Sequence, residues 1–136
     1  LLLPGWIFPT LLHLFGFVIA LIISIYLSYT IYFCMVCFAF WFGEVRSLVV
    51  AYNISNIVLS GQVIPLKLFP DSVREFIFFT PLPYLIDLPV SIATNNLPIN
   101  LWIPKISVAI FWCILITIVG KIVYSYGIRV YEGFGA

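Results

Sequence analysis

Apolar positions follow one another along most of this chain, and a few charged positions divide it into uncharged blocks. The longest block runs from Leu14 to Gly43, about 30 residues, and as an α-helix it would span about 45 Å against a hydrocarbon core of about 30 Å. Its many β-branched and aromatic residues favour strands in water. In lipid, however, each backbone amide must be satisfied within its own segment, so a helix is the stable form. We therefore predict a membrane-spanning helix over about residues 12–43.

Two further uncharged blocks are long enough to cross a bilayer once. One covers about residues 47–65, after a short charged turn that holds Glu44 and Arg46. The other covers about residues 103–126, where Pro104 suits the first turn of a helix because the amide hydrogen that proline lacks would be unpaired there. The pattern thus predicts an all-α membrane protein with about three transmembrane helices.

The second predicted helix carries a polar stripe. Asn53 and Asn56 are three residues apart and therefore lie on one side of a helix, with Ser55 and Ser60 nearby. Amide side chains inside a membrane line translocation paths in some proteins and only hold neighbouring helices together in others. Both interpretations stay open, and we take Asn53 and Asn56 as candidate path-lining residues.

Five prolines interrupt the stretch between the second and third predicted helices, at positions 65, 70, 81, 83 and 89. A proline removes a backbone hydrogen bond and clashes with the preceding turn, so one continuous helix is excluded. We predict instead short re-entrant helices over about residues 65–100, one of them in DSVREFIFF with Asp71 or Ser72 as its N-cap. Broken helices are tolerated at membrane depth where protein or a water-filled cavity covers them.

The same stretch is rich in aromatic residues, whereas a disordered linker would be polar. Left uncovered, these side chains would form a large apolar patch, so we expect them to pack on the spanning helices or on a neighbouring protein. The charged residues of the first short helix, including Glu75, are expected on its water-facing side. The candidate residues of an outer gate are Phe69, Phe76, Phe79 and Tyr84.

Composition narrows the class of protein. Of the 136 residues, 64% are hydrophobic and 8% are charged, whereas a soluble domain carries about 25% charged residues. A chain of this length has too little interior to cover so much apolar surface, so the lipid bilayer or other transmembrane helices must cover it. The net charge of +1 argues against nucleic acid as a partner, because binding it needs clustered lysine and arginine.

The chain shows no residue pattern of an active site. Cys34 and Cys37 form a single C-x-x-C without the second pair or histidines that a metal site needs, and Cys113 stands alone, which favours buried thiols. His13 is the one histidine and has no carboxylate cluster near it in sequence, so we expect a hydrogen-bonded residue near the membrane interface. The phosphate-binding motif G-x-x-x-x-G-K-[ST] is also absent. We therefore predict a protein that is not an enzyme and has no catalytic residue, metal site or cofactor.

Several motifs occur in a characteristic order. The turn FGEVRS is followed by SG-x-x-IPL-x-x-FP from Ser60, by R-x-F and TP-x-PY from Arg74, and by the tail R-x-Y-x-G-x-G from Arg129. In this order, over most of its length, the chain resembles the membrane subunit of ABC-type exporters of the second class, in the branch known as transport-system permeases.

The resemblance implies a six-helix permease of which this chain supplies the fourth to sixth helices, in keeping with a first residue that is not Met. It implies that Glu44 and Arg46 lie on the cytoplasmic side and that residues 65–100 lie on the outer side, as re-entrant helices capping the path. The charged turn would then either lie close to an ATPase subunit or be a plain solvated turn between helices. A second permease, identical or related, would complete the translocation path, and two cytosolic ATP-binding subunits would hydrolyse ATP. The expected location is the bacterial inner membrane, as a multi-pass protein.

A second class of function stays open, namely a structural or assembly subunit of a larger membrane complex without transport activity. The near absence of charge inside the predicted spans leaves room for it, because solute and ion pathways often contain ionisable residues, although exporters of bulky amphipathic substrates need fewer of them. Co-purification of an ATP-binding subunit, with hydrolysis that responds to the permease, distinguishes the two functions.

Overall fold

The computed structural model describes residues 10–60, 63 and 66–132. Within these ranges the chain is helical and contains no strand, which confirms the predicted all-α class. The α-helices are α1 (Leu11–Cys37), α2 (Ala39–Phe42), α3 (Arg46–Leu59), α4 (Asp71–Phe78), α5 (Asp87–Ala93) and α6 (Trp102–Glu132). Short 3-10 turns cover Leu66–Leu68, Leu82–Tyr84 and Ile99–Leu101.

Two helical stretches of the described chain are long and apolar enough to cross a membrane. Leu11–Phe42 has 32 residues and includes an 18-residue window with a mean hydropathy of 2.3, and Ile99–Arg129 has 31 residues and includes such a window with a mean of 2.4. Only 28% and 17% of their most apolar windows are buried within the chain. A core helix of a soluble protein would bury far more of its apolar surface, so lipid or further protein covers these two stretches. They correspond in position to the predicted spans at 12–43 and 103–126.

Helix α3 is shorter than the second predicted span. It has 14 residues and a length of about 21 Å, against a hydrocarbon core of about 30 Å. The predicted span continues to Pro65, which lies outside the described residues. A membrane crossing over residues 47–65 therefore stays a prediction.

The stretch Leu11–Phe42 and helix α6 lie side by side and run in the same direction. The first turns of the two helices contact each other, and so do their middle turns and their last turns. The residues in contact are His13 and Trp102, Tyr26 and Thr117, and Phe40 and Gly127. The turn after α2 therefore lies at the same end of the molecule as the end of α6. The segment that leads into α6 lies at the opposite end, near the start of α1.

Alanine at Gly127 is expected to destabilise this helix pair. A Cβ atom there would overlap the ring of Phe40, whereas a Cβ atom at Gly120 would lie 3.2 Å from the edge of the Phe33 ring. Both substitutions gain about 1 kcal/mol in helix propensity, so a difference in stability between the two variants reports the clash between the new Cβ atom and the Phe40 ring. Overpacking costs about 1–3 kcal/mol, and Gly127→Ala should lower the midpoint of thermal unfolding relative to Gly120→Ala. Equal midpoints in the purified protein would contradict the close approach of α6 to Phe40.

The segment between α3 and α6 reaches the middle of α1 at Ser24 and runs back toward the start of α1 at His13. The hydroxyl of Ser24 donates a hydrogen bond to the backbone carbonyl of Leu85, and Oδ1 of Asn95 lies 2.9 Å from Nε2 of His13. Ser24 and His13 are three helical turns apart on α1, which is about 16 Å along the axis. The short helices predicted between the prolines are thus present, and α5 packs along α1 over this depth. We call residues 66–101 the re-entrant segment.

The start of α4 differs from the expected one. Its N-cap is Pro70, and no side chain caps it. The carboxylate of Asp71 instead accepts a hydrogen bond from the guanidinium of Arg74 at 2.5 Å, one turn further along the helix. The predicted cap at Asp71 or Ser72 is therefore wrong, because the helix begins earlier and the carboxylate is engaged with a charged neighbour.

Candidate functional site

The re-entrant segment keeps its backbone hydrogen-bonded where its helices are broken. Side chains donate hydrogen bonds to backbone carbonyl groups around the breaks, and an unpaired carbonyl at membrane depth costs several kcal/mol. These bonds join Ser24 to Leu85, Tyr84 to Phe78 at 3.2 Å, Thr80 to Ile77 at 2.7 Å, and Trp102 to Leu97 at 3.0 Å. The segment is thus an ordered part of the fold rather than a loose connector.

His13 fixes one end of the re-entrant segment on α1. Its side chain is 4% exposed, Nδ1 lies 2.6 Å from the Thr10 hydroxyl, and Nε2 lies 2.9 Å from Oδ1 of Asn95. Because Oδ1 of Asn95 can only accept a hydrogen bond, Nε2–H of His13 donates to it. Asn95 has a φ of +54°, in the left-handed region that asparagine tolerates better than most residues. His13 therefore has a structural role in this part of the chain.

A groove of about 540 Å³ opens between α4, the Leu82–Tyr84 turn and α6. Aromatic rings form most of its walls, together with one aliphatic side chain and one carboxylate. The lining residues are Glu75, Phe78, Phe79, Tyr84, Val108, Phe111 and Trp112. We call it the α4–α6 groove. Its apolar walls suit an amphipathic molecule better than a hydrated ion.

Lys105 ties the re-entrant segment to α6. Its Nζ lies 4.8 Å from the centroid of the Phe78 ring, which is within the range of a cation–π interaction, and the Asp87 carboxylate attracts the same ammonium. Such a contact contributes about 0.5–2 kcal/mol, and the larger values apply where water is excluded. Lys105 is half-buried, so water is partly excluded from this contact. One side chain of α6 therefore interacts with both α4 and α5.

The four predicted gate residues differ in exposure. Phe76 and Phe79 project from α4 and are 71% and 80% exposed, whereas Phe69 is half-buried and Tyr84 is buried. Phe76 and Phe79 therefore offer apolar surface to a neighbouring molecule, while Tyr84 holds the re-entrant segment together. Glu75 is exposed and also borders the α4–α6 groove, and its expected position on the water-facing side of α4 stays a prediction.

Asn53 connects α3 to α1. Its Oδ1 accepts a hydrogen bond of 2.5 Å from the Tyr32 hydroxyl, and the Tyr32 ring lies edge-on to Tyr52 with the centroids 5.4 Å apart. Such a bond between helices is typical of side chains that hold them together. The geometry therefore favours the packing role for Asn53 over the path-lining role.

Asn56 belongs to a row of buried polar atoms on α3. Its Oδ1 and the hydroxyls of Tyr52 and Ser60 are buried and have no hydrogen-bond partner among the described residues. Because these residues are spaced by four, they lie on one face of the helix. An unpaired buried polar group costs about 1–3 kcal/mol, so we expect water, a solute or another protein group to form hydrogen bonds with these atoms. Tyr52 was not among the predicted path-lining residues, although its four-residue spacing from Asn56 would have identified it.

The turn between α2 and α3 is open to its surroundings. Gly43, with a φ of +67°, follows α2, and both Glu44 and Arg46 are exposed. Neither side chain forms an ion pair within the part of the chain that the structure describes. Both charges are therefore available to water or to a partner, at the end of the molecule opposite to the re-entrant segment.

These features define a class of protein: an all-α integral membrane protein with two long parallel helices and a hydrogen-bonded re-entrant segment. A family model described as ABC-2 family transporter protein matches residues 6–135, and the chain belongs to this family. The resemblance seen in the motifs is thereby confirmed. The chain is a membrane permease component of an ABC transporter, a component that works with an ATP-binding subunit. No curated protein and no solved structure matches it.

Proposed function

We propose that this chain is the permease subunit of an ATP-driven exporter in the bacterial inner membrane. A second permease, identical or related, completes the translocation path, and cytosolic ATP-binding subunits drive it. The turn with Glu44 and Arg46 faces these subunits, and the re-entrant segment lies at the outer side as a gate. The row of buried polar atoms along α3, with Asn56 at its centre, lines the path.

The observation that carries this proposal is the exposed aromatic surface of α4 on a segment that is otherwise firmly held. Phe76 and Phe79 are three residues apart and lie on neighbouring positions of the helix surface. Burying one phenylalanine side chain contributes about 1.5–3 kcal/mol, so contact with the same segment of a second permease would be favourable. Two such surfaces meeting at the outer end would close the path when no substrate is present.

The substrate that fits this arrangement is amphipathic. Leu11–Phe42 contains no charged residue, and the α4–α6 groove is lined mainly by rings. A hydrated ion would need ionisable or carbonyl ligands to replace its water, whereas an amphipathic molecule needs apolar walls and a few polar groups.

Purification of the intact transporter from its native membrane tests the proposal. An ATP-binding subunit should remain bound to the tagged chain, and inside-out vesicles containing the pair should take up an amphipathic dye when ATP is added. The matched control replaces the phosphate-binding lysine of the ATP-binding subunit with alanine, which should abolish uptake but leave the pair assembled. If the ATP-binding subunit hydrolysed ATP at the same rate alone as in the assembled pair, the chain would instead be an assembly subunit.

A further inference from the structure

A second groove, of about 230 Å³, lies between α1 and α6 in the halves of these helices nearest the Glu44 turn. Unlike the α4–α6 groove, it combines hydroxyl groups with one ammonium group. Its lining residues are Tyr26, Tyr29, Thr30, Phe33, Thr117 and Lys121. We call it the α1–α6 groove, and nothing in the transport mechanism proposed above uses it.

Most hydroxyl hydrogens in the α1–α6 groove are already engaged. Thr117 donates to the carbonyl of Cys113 at 2.6 Å, so the Tyr26 hydroxyl, 3.1 Å away, donates to Thr117. Thr30 donates to a carbonyl of its own helix at 2.9 Å. The donors left for a ligand are the Lys121 ammonium and the hydroxyl of Tyr29, which is 64% exposed.

Lys121 carries its charge at membrane depth without an anion beside it. The stretch Ile99–Arg129 has 31 residues and is about 46 Å long, so when centred on a hydrocarbon core of about 30 Å it extends about 8 Å beyond each face. The Lys121 backbone lies about 12 Å before Arg129 along the helix and therefore about 4 Å inside the core. Helical side chains tilt toward the helix N-terminus, which here points toward the membrane centre. Lysine at such a position costs about 2.5–3.5 kcal/mol at most unless it is paired.

Neither neighbouring helix supplies the missing anion. The stretches Leu11–Phe42 and Ile99–Arg129 contain no aspartate or glutamate. Lys121 forms no ion pair within the described residues. An anion that pairs with Lys121 would therefore have to come from outside these two helices.

The shape of the surface beyond the α1–α6 groove identifies the kind of anion. A second, almost wholly apolar depression of about 180 Å³ adjoins it on the side of the membrane centre and shares Tyr26 and Thr117 with it. Its other lining residues are Cys113, Ile114 and Ile118. A charged site near the interface followed by an apolar track toward the bilayer centre matches the two parts of a phospholipid.

We propose that the α1–α6 groove binds an anionic phospholipid of the surrounding membrane. The Lys121 ammonium pairs with the headgroup phosphate, and the Tyr29 hydroxyl donates a hydrogen bond to it. One acyl chain follows the adjoining track along Ile114 and Ile118. Basic pockets between transmembrane helices on the cytoplasmic side commonly hold anionic headgroups, and this proposal requires neither export nor a particular substrate.

Native mass spectrometry of the purified intact transporter tests the proposal, with phosphatidylglycerol and phosphatidylcholine of matched chains added to delipidated protein. The wild type should retain phosphatidylglycerol at least tenfold more tightly. Lys121→Gln should remove this preference and Lys121→Arg should keep it. Arg129→Gln, a change of the same kind outside the groove, should keep it as well. Equal retention of both lipids by the wild type, or equal losses in the two glutamine variants, would overturn the proposal.

Two further measurements separate a lipid from a free anion and do not depend on the stability of a Lys121 variant. Ile114→Trp fills the exposed apolar track and should weaken phosphatidylglycerol retention severalfold, since Ile114 is 56% exposed and replaceable without disturbing a core. Inorganic phosphate in millimolar excess should not displace the lipid. If phosphate displaces it, or if Ile114→Trp leaves retention unchanged, the groove does not bind a phospholipid.

Discussion

Replacing Phe76 and Phe79 together with alanine is expected to raise the basal ATP hydrolysis of the assembled transporter about tenfold and to let solute leak through reconstituted vesicles. Both side chains are mostly exposed on α4, and each contributes about 1.5–3 kcal/mol if a second permease buries it at the outer closure. Losing even half of this energy makes the closed state at least tenfold less favourable. Hydrolysis without substrate and leak of an entrapped dye measure the effect.

Phe42 provides the matched control for this pair. It is 71% exposed, as Phe76 is, but it lies in α2 at the opposite end of the molecule. Phe42→Ala removes the same side chain from an equally exposed position far from the outer end and should leave the leak of the entrapped dye unchanged. An equal effect of Phe42→Ala, or a double variant that transports normally, would show that the re-entrant segment is a connector rather than a gate.

Reversing both charges of the turn, with Glu44→Arg and Arg46→Glu, is expected to lower substrate-stimulated ATP hydrolysis about tenfold. Both side chains are exposed and unpaired within the described chain, so we expect a partner surface to place a basic group near Glu44 and an acidic group near Arg46. Juxtaposed like charges cost several kcal/mol across an interface, and a tenfold loss corresponds to about 1.4 kcal/mol. The ratio of hydrolysis with substrate to hydrolysis without it measures the coupling.

The exchange of Asp71 and Arg74 provides the corresponding control. Asp71→Arg with Arg74→Asp reverses an ion pair of 2.5 Å at the other end of the molecule and preserves the net charge. It should leave coupling unchanged. Labelling of a cysteine placed at Ser47 should show that the Glu44 and Arg46 variant still inserts normally. Unchanged coupling in that variant would indicate a plain solvated turn.

The sequence was sufficient to predict the helical class, the two long helices and the broken stretch between the prolines. Each of these follows from local chemistry, because a long uncharged run must satisfy its backbone internally and a proline cannot continue a helix. The length of α3 was not predictable in the same way. An uncharged run of about 20 residues is long enough to cross a bilayer, but nothing local fixes where within it the helix ends.

The candidate site was less predictable, since it depends on which helices meet. Asn53 and Asn56 look alike in sequence, yet Tyr32 of α1 engages Asn53 whereas Asn56 keeps a buried oxygen without a described partner. Tyr84 was grouped with Phe76 and Phe79 as a gate residue because all three are aromatic, but Tyr84 is only 6% exposed whereas the other two rings are mostly exposed. The helical spacing of α4 did not reveal that Glu75 borders a groove, because α6 forms the other wall.

Ring-to-glycine contacts at both ends of the α1–α6 pair have a mechanical consequence. Gly16 lies against the Trp102 ring near the first turns, and Gly127 lies against Phe40 near the last, so neither helix can slide or rotate past the other without a clash. The re-entrant segment is fastened to the same pair through Ser24 and through the contacts of His13 and Lys105. In contrast, no residue of α3 itself is buried. The helix pair and the re-entrant segment are therefore fastened together at several points, whereas α3 is attached to α1 through fewer contacts, among them the hydrogen bond from Tyr32 to Asn53.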